Sequence, residues 1–443
     1  MEDKKRFYLE KNSYFFGKIV KNIYRALTPG IEKMLEFKGK SPIVSFRNVD
    51  ITYGSGSRKN KVIHDISFNI YEGEVLSFVG ESGSGKSTTG SALAGLVPRS
   101  FGQIVINGFE LPKNIRKIKA KILGKLVSNV QMIFQDPLSS LNPYKNIYDV
   151  ITEGLVNLEQ RQKGSTKILF SQHYYQNTFE TLVSALKKQK ISPEIIQQIN
   201  NNFYKNTKDI PVENLFKTLI NYLEKLRVIE TKIIDYIQKK SLFLQDFLKK
   251  PLKDITYKYV IDMLASVGLD SSVLSRYPLE FSGGQQQRIG ICRALLLRPK
   301  ILVADEPISA LDVSIQAQII NIFKDLKEKY NLTIFFISHD LRMVEYISDR
   351  IAVIYRGRIL EIGPSKEIIK NFLHPYTKSL IESIPTIESK RGSLAGYVYD
   401  PKMHQYDEKN QPQWINLGNN HYILATFAEL KRWKLGDYNY EKI

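Results

Sequence analysis

The run Gly80-Glu81-Ser82-Gly83-Ser84-Gly85-Lys86-Ser87, followed by Thr88, has the residue types needed to hold the phosphates of a nucleotide. A strand candidate, Glu74 to Val79, feeds the run, and a helical apolar pattern follows through Ala92, Leu93, Ala94 and Leu96. The backbone N–H groups of Ser82 to Ser87 are therefore expected at a helix N-terminus, where the macrodipole adds attraction for anions. Lys86 is placed to bridge the β- and γ-phosphates, and the Ser87 hydroxyl to ligate magnesium. Far along the chain, Ile301-Leu302-Val303-Ala304-Asp305-Glu306 reads as a buried strand ending in two carboxylates, the place where α/β sheets present ligands. Asp305 suits the magnesium shell. Glu306, expected to point elsewhere because strand side chains alternate, suits polarising a water for in-line attack on a γ-phosphate. Between the two lies Phe281-Ser282-Gly283-Gly284-Gln285, whose hydroxyl and glycine N–H groups form an anion grip that one phosphate site does not need for itself. It is expected to serve the nucleotide of a second, similar domain. Taken singly, Ser-Gly-Gly-Gln is a flexible turn and Asp-Glu an acidic surface pair; their order and flanks select the chemistry.

The elements that must position these residues divide the chain into five parts. Residues 1–42 form an N-terminal extension in which Phe16, Ile19, Val20, Ile23, Tyr24 and Leu27 recur at helical spacing opposite Lys18, Lys21 and Arg25, until Pro29-Gly30 ends the pattern. This predicts a short basic amphipathic helix, packed on its own domain or facing a membrane surface or partner. Residues 43–156 turn to short β-branched runs such as Ile43 to Phe46, and an α/β block resumes over 255–387 with strand candidates at 301–304, 333–337 and 351–355. The two blocks read as one interrupted domain built on a parallel sheet covered by helices. Residues 157–254 read as a helical insertion. There Leu215, Leu219, Tyr222, Leu226, Ile229, Ile233 and Tyr236 form an apolar seam that predicts a coiled-coil-like hairpin. The insertion carries 17 Lys plus Arg against 10 Asp plus Glu, either a solvated face or a docking arm. Residues 388–443, rich in Asn, Gln, Tyr and Gly, read as a small appended unit.

Composition narrows the class. With 43% hydrophobic and 25% charged residues among 443, a sizeable core is affordable and global disorder is excluded. A single cysteine, Cys292, excludes an internal disulfide and any site built on several thiolates, and points to a reducing compartment. A net charge of +19 favours polyanionic neighbours without choosing among nucleotides, acidic lipids and nucleic acid, and an AT-rich genome would produce a similar excess of lysine. No apolar run approaches the roughly 18 residues needed to cross a bilayer, and the start lacks the apolar core of a secretion signal, so any membrane association is expected to be peripheral.

With these motifs in this order the chain resembles the ATP-binding subunits of ABC transporters, over roughly Ile43 to Pro385 without the insertion. The resemblance implies an α/β P-loop NTPase fold of the ABC nucleotide-binding type, with a helical subdomain, a long helical insertion and N- and C-terminal extensions. By that resemblance Tyr53 looks like the aromatic that stacks on adenine, and Gln135 like the glutamine that joins magnesium and the attacking water to the transporter interface. Ser282, Gly283, Gly284 and Gln285 resemble the signature that caps the γ-phosphate held by the opposite subunit. Ser309-Ala310-Leu311-Asp312 resembles the loop linking the two sites across the dimer, and His339 the γ-phosphate-sensing histidine. Within the family, the strings from Gln135 to Pro143, from Ser309 to Gln318 and His374-Pro375-Tyr376-Thr377, with Phe281 opening the signature, are similar to those of the oligopeptide and dipeptide importers, especially their F-type subunits.

That branch implies ATP and Mg2+ as cofactors and a homologous D-type ATPase subunit, or a second copy, as partner. It further implies two transmembrane permeases, an extracytoplasmic peptide-binding protein, and a peripheral place on the cytoplasmic face of the membrane. Two departures stand out: the insertion is longer than usual, and the tail lacks the cysteine cluster with which many relatives bind an iron–sulfur centre. The rival readings are an importer ATPase for dipeptides, nickel or another small solute, and a soluble ABC ATPase acting on nucleic acid or ribosomes. Against the last, one phosphate loop is present where ribosome-acting relatives usually hold two domains, so no nucleic acid is expected.

Overall fold

The computed structural model describes residues 7–14, 19–36, 39–114, 118–204, 211–226, 229–383 and 397–438. The chain divides into two units, residues 1–136, 299–327 and 332–443 in the first, and residues 137–298 and 328–331 in the second.

The described strands all lie in the first unit: β1 Phe7–Tyr14, β2 Ile19–Ala26, β3 Pro42–Tyr53, β4 Asn60–Tyr71, β5 Val75–Val79, β6 Phe101–Ile106, β7 Phe109–Glu110, β8 Val130–Ile133, β9 Ile301–Asp305, β10 Thr333–Ser338, β11 Arg350–Tyr355, β12 Arg358–Pro364, β13 Gln413–Gly418 and β14 His421–Ala425. Eight of them form one sheet in the order β13-β14-β12-β11-β5-β10-β9-β8. From β11 to the edge strand β8 it is parallel, and β12, β14 and β13 continue it antiparallel on the other side. Every residue of β5, β9 and β10 is buried, which explains why these strands read as unbroken apolar runs: both faces of a parallel sheet are covered. A second, antiparallel sheet in the order β4-β3-β6-β7 packs its Phe68 ring, itself stacked on Phe46, against Phe78 and Phe335 of the first. The interrupted-domain reading thus has its counterpart in β8 and β9, adjacent although more than 160 residues apart, with an antiparallel edge beyond the parallel sheet expected.

The N-terminal expectation is overturned. Within the stretch predicted as a basic helix, residues 19–26 form β2, which pairs antiparallel with β1, Leu9 opposite Tyr24 and Glu10 opposite Ile23. Over 22–27 exposure alternates residue by residue, a period of two rather than 3.6. Arg25, expected on a solvated face, turns inward: its guanidinium stacks 3.9 Å over the Phe101 ring and bonds Asp50 and Asp65. The β-branched Ile19, Val20 and Ile23 favour extended backbone, although the apolar positions keep helical spacing. Phe16 and Lys18 lie outside the described residues. The tail is likewise more than an appended unit, since β13 and β14 extend the main sheet and Ile423, Ala425, Leu430 and Trp433 form a small core of their own.

The second unit is helical: Pro137–Ser140, Ile147–Arg161, Ser165–Lys188, Pro193–Phe203, Val212–Lys225, Thr231–Phe247, Leu252–Ser266 and Gly283–Leu295. Among the described residues the insertion is therefore four helices, with the ends of two more, instead of one coiled-coil hairpin. The predicted seam breaks between Lys225 and Thr231, and the two pieces bury Leu215, Leu219 and Leu223 on one side and Ile233 and Ile237 on the other, so the heptad phase resets at the break. No glycine or proline marks it.

The Ser165–Lys188 helix also shares its core with the flanking helix Leu252–Ser266. Phe170, fully buried, meets Phe247 at 5.4 Å and Tyr259 at 6.2 Å between ring centroids, and His173 packs 5.3 Å from Tyr259. Burial, with the charges of Arg298, Lys329 and Lys258, holds the His173 imidazole well below its ordinary pKa, hence neutral. An arm that merely docked on the surface would not supply the core of its host. Phe170→Ala is expected to destabilise this unit by about 3–5 kcal/mol, the usual cost of emptying a buried aromatic site. Urea titration of the full chain checks this, and a loss below about 1 kcal/mol would show that the insertion folds without the core it shares.

Candidate functional site

The phosphate-loop residues sit where two neighbouring strand ends converge. β5 ends at Val79, the loop Gly80–Gly85 follows, and the helix Lys86–Leu93 begins at once, as the sequence predicted, although it stops before Ala94. Two glycines are obligatory for different reasons. A Cβ on Gly80 would lie 2.1 Å from the Ile354 carbonyl oxygen, a backbone atom that cannot yield. Gly85, the residue before the helix, has φ +100°, a left-handed conformation that other residues adopt only at a cost.

Lys86 is nearly inaccessible, and its Nζ donates to the Gly80 and Glu81 carbonyls at 2.7 and 2.8 Å. Burial lowers its ammonium pKa, an effect that Glu306, Asp305 and Glu81 oppose. Ser84 Oγ is buried and has no hydrogen-bond partner. A buried hydroxyl left unsatisfied is costly. The adjoining cavity is lined by Ser82, Gly83, Gly85, Lys86, Ser87 and Thr88, whose hydroxyls, backbone N–H groups and ammonium suit an anion.

Opposite the loop, Asp305 ends β9 in register with Ile337 of β10. Its Oδ1 accepts from Ser87 Oγ at 2.8 Å. Burial raises the Asp305 carboxyl above its ordinary range; the Ser87 hydrogen bond opposes the rise, Glu306 adds to it, and Lys86 counters it.

Glu306 departs from expectation in how it is aimed. It does not continue the strand; its φ is +43°, a left-handed backbone that costs a non-glycine residue about 1–2 kcal/mol. The turn, not strand alternation, directs its carboxylate. Glu306 Oε2 lies 3.3 Å from His339 Nδ1 and accepts from Gln135 Nε2 at 3.2 Å, and Oε1 lies 4.0 Å from Lys86 Nζ.

These groups share one cavity of about 660 Å³, lined by Val62, Ser82, Gly83, Gly85, Lys86, Ser87, Thr88, Gln135, Glu306 and His339. Tyr53, at the end of β3, stands half exposed with its hydroxyl 3.4 Å from Thr88 Oγ1. Asp312, exposed, precedes the Val313–Tyr330 helix, and its carbonyl accepts from Gln316 N at 2.9 Å. Ser282 belongs to the second unit. It caps the Gly283–Leu295 helix reciprocally with Gln285, Ser282 N donating to Gln285 Oε1 at 3.1 Å and Gln285 N to Ser282 Oγ at 3.4 Å. Ser282, Gly283 and Gln285 are exposed and Gly284 is buried, so the helix start is open to solvent within its own unit.

One residue at the loop was not placed there by sequence reasoning. The Tyr376 hydroxyl, fully buried, accepts from Glu81 N at 2.9 Å and so anchors the phosphate loop. His374 fixes Tyr376 in turn, its Nδ1 accepting from Tyr376 N at 3.1 Å, and complete burial keeps this imidazole neutral. The His374-Pro375-Tyr376-Thr377 string was the available signal.

Comparison with known proteins agrees with this geometry. Residues 63–309 match the family model described as ABC transporter, and residues 360–408 the one described as oligopeptide/dipeptide transporter, C-terminal region. The chain is similar to the dipeptide transport ATP-binding protein DppF of Lactococcus lactis, 36% identical over 397 residues that cover 88% of this chain and 96% of the relative. It is also similar to the oligopeptide transport ATP-binding proteins OppF of Streptococcus pyogenes (34%, covering 88% and 98%) and of Bacillus subtilis (35%, covering 84% and 92%).

Proposed function

The chain belongs to the ABC transporter family, in its oligopeptide and dipeptide branch, and from that premise we propose that it is the subunit that binds and hydrolyses ATP to drive peptide import across the cytoplasmic membrane. The observation that carries the reading is the meeting of Glu306 with His339 and Gln135 in the cavity that Lys86 and the phosphate loop close from the other side.

In this reading the phosphates lie along the N–H groups of Ser82, Gly83, Ser84, Gly85, Lys86, Ser87 and Thr88, with Gly80 allowing the close approach. Lys86 leaves its carbonyl partners for the β- and γ-phosphates. Tyr53 stacks on the adenine. Glu306 takes the proton from the attacking water, and His339 holds the transferring phosphoryl oxygen in place through a hydrogen bond.

Ser87, Asp305 and Gln135 offer a hydroxyl, a carboxylate and an amide oxygen, the hard donors that Mg2+ prefers. The Ser87–Asp305 contact of 2.8 Å sets the hydroxyl and the carboxylate side by side, as shared donors to one cation require. When bound there, Mg2+ neutralises phosphate charge. Ser282, Gly283, Gly284 and Gln285 reach the nucleotide of a homologous D-type subunit, while Asp312 lies on the loop between the two sites. Two permeases sit above, and a peptide-binding protein delivers cargo to them, which places the subunit peripherally on the cytoplasmic face.

The deciding experiment expresses the full chain with its neighbouring subunits and asks what copurifies and whether peptide stimulates ATP turnover in vesicles. Membrane permeases and peptide stimulation are expected. Copurifying RNA, or stimulation by nickel and not by peptide, would overturn the reading.

A further inference from the structure

A second cavity, of about 470 Å³, lies in the same unit and serves no step above. Tyr355, Arg356, Arg358, Tyr399, His404 and Tyr406 supply its chemistry, and no carboxylate is among its lining residues. Arg356 and Arg358 are both exposed, and neither has an ion pair among the described residues. The acids nearby are already engaged: Glu429 by His404 Nδ1 at 2.7 Å and Thr426 N at 2.8 Å, and Asp65, which lines an adjoining pocket with Arg358, by Arg25 at 3.1 Å. The wall between is aromatic and fixed. Tyr355 and Tyr399 meet edge to face at 5.1 Å, His404 stacks on Tyr406 at 5.3 Å, and the Tyr399 hydroxyl pairs with His404 Nε2 at 2.8 Å. Arg358 reaches the mouth: after burial and Lys61 it helps hold the His64 imidazole below its ordinary pKa, against the pull of Asp50.

Two unpaired guanidinium groups beside rigid aromatic faces are complementary to a planar ring carrying an oxyanion. We propose that this cavity binds a small aromatic anion, a carboxylate or phosphate on a flat ring, and that its occupancy regulates the phosphate loop. The connection is short. Gly357, between the two arginines, donates its N–H to the Ser84 carbonyl at 2.8 Å and accepts from His64 N at 2.9 Å. It is also wedged, since a Cβ there would lie 2.0 Å from the Val62 carbonyl oxygen. On the other side the Tyr355 ring lies 4.6 Å from Tyr376, whose hydroxyl holds Glu81 N. A ligand that draws Arg356 and Arg358 together therefore acts on residues bonded directly to both sides of the loop. Binding here is independent of whether the cargo is a peptide; only the regulatory half rests on the ATPase reading.

The test uses the full chain carrying Trp414→Phe, which leaves Trp433 as the lone tryptophan reporter, 5.3 Å from His374 and 6.0 Å from His404 by ring centroids. N-acetylphenylalanine and phenyl phosphate are titrated against tryptophan emission, with N-acetylphenylalanine amide and acetate as controls. At least one of the two anions is expected to saturate the signal at concentrations about tenfold or more below both controls, and the better one identifies the oxyanion. Arg358→Gln is expected to weaken that binding about 10- to 100-fold, the loss typical of a charge-assisted pair, and to leave ATP turnover without probe unchanged. In the parent, the better anion is expected to alter ATP turnover at least twofold. Equal binding of anion and amide, no saturation by either anion, or full binding by Arg358→Gln would overturn the site. Binding without any change in turnover would overturn the regulatory half.

Discussion

Glu306→Gln is expected to lower the rate of ATP hydrolysis by about 10²- to 10⁴-fold while leaving ATP affinity within about threefold, because a general base is lost and a binding pocket is kept. The geometry makes this substitution unusually clean. Glutamine has the same shape and tolerates the φ of +43° no worse than glutamate. Its amide still offers an oxygen toward Gln135 and His339, which lie 3.2 and 3.3 Å from the native carboxylate. What disappears is basicity and one negative charge 4.0 Å from the Lys86 ammonium. Removing that charge leaves Lys86 less compensated and, if anything, more attractive to phosphate. The measurement is phosphate release under single-turnover conditions alongside nucleotide binding to the same preparation. A variant that hydrolyses at the parent rate would strip Glu306 of its role and leave His339 and Gln135 as the groups of the cavity to orient water.

How much of this site could be read in the sequence depended on how locally each part is encoded. The phosphate loop was legible because a single stretch from Val75 to Leu93 supplies the strand, the turn and the helix start, and each needs recognisable residues. Asp305 was legible from four apolar neighbours. The direction of Glu306 was not, since it depends on a left-handed turn that no glycine advertises. Nor was the Tyr376 anchor, where partners 295 positions apart meet through packing without local pattern. The N-terminal strand pair was misread because the apolar positions from Phe16 to Leu27 keep helical spacing, while the deciding contacts, Arg25 with Asp50 and Asp65, are long-range. In the tail, Asn- and Gln-rich turns hid the short run that buries His421, Tyr422, Ile423 and Ala425 beside β12.

The proposal that Ser282 and its glycines grip a nucleotide held by another subunit has a consequence that separates it from a structural role. Gly283 is the first residue of the Gly283–Leu295 helix and is exposed. An aspartate there faces its own helix favourably, since a negative charge in the first turn complements the macrodipole by about 0.3–1 kcal/mol. Toward a γ-phosphate the same carboxylate is repulsive. With an effective dielectric constant near 20, a unit charge pair at 4–8 Å costs about 2–4 kcal/mol. That corresponds to a loss of roughly 30- to 1,000-fold in the closed, ATP-bridged state. Gly283→Asp is therefore expected to keep or slightly raise the melting temperature of the isolated chain and to leave its own ATP affinity unchanged, while ATP-driven pairing and turnover collapse. Sedimentation with and without ATP, together with phosphate release from the assembled complex, checks both halves. Turnover at the parent level would mean that the helix start faces no phosphate in any state. A fall in melting temperature that matched the loss of activity would return Gly283 to an ordinary place in the fold.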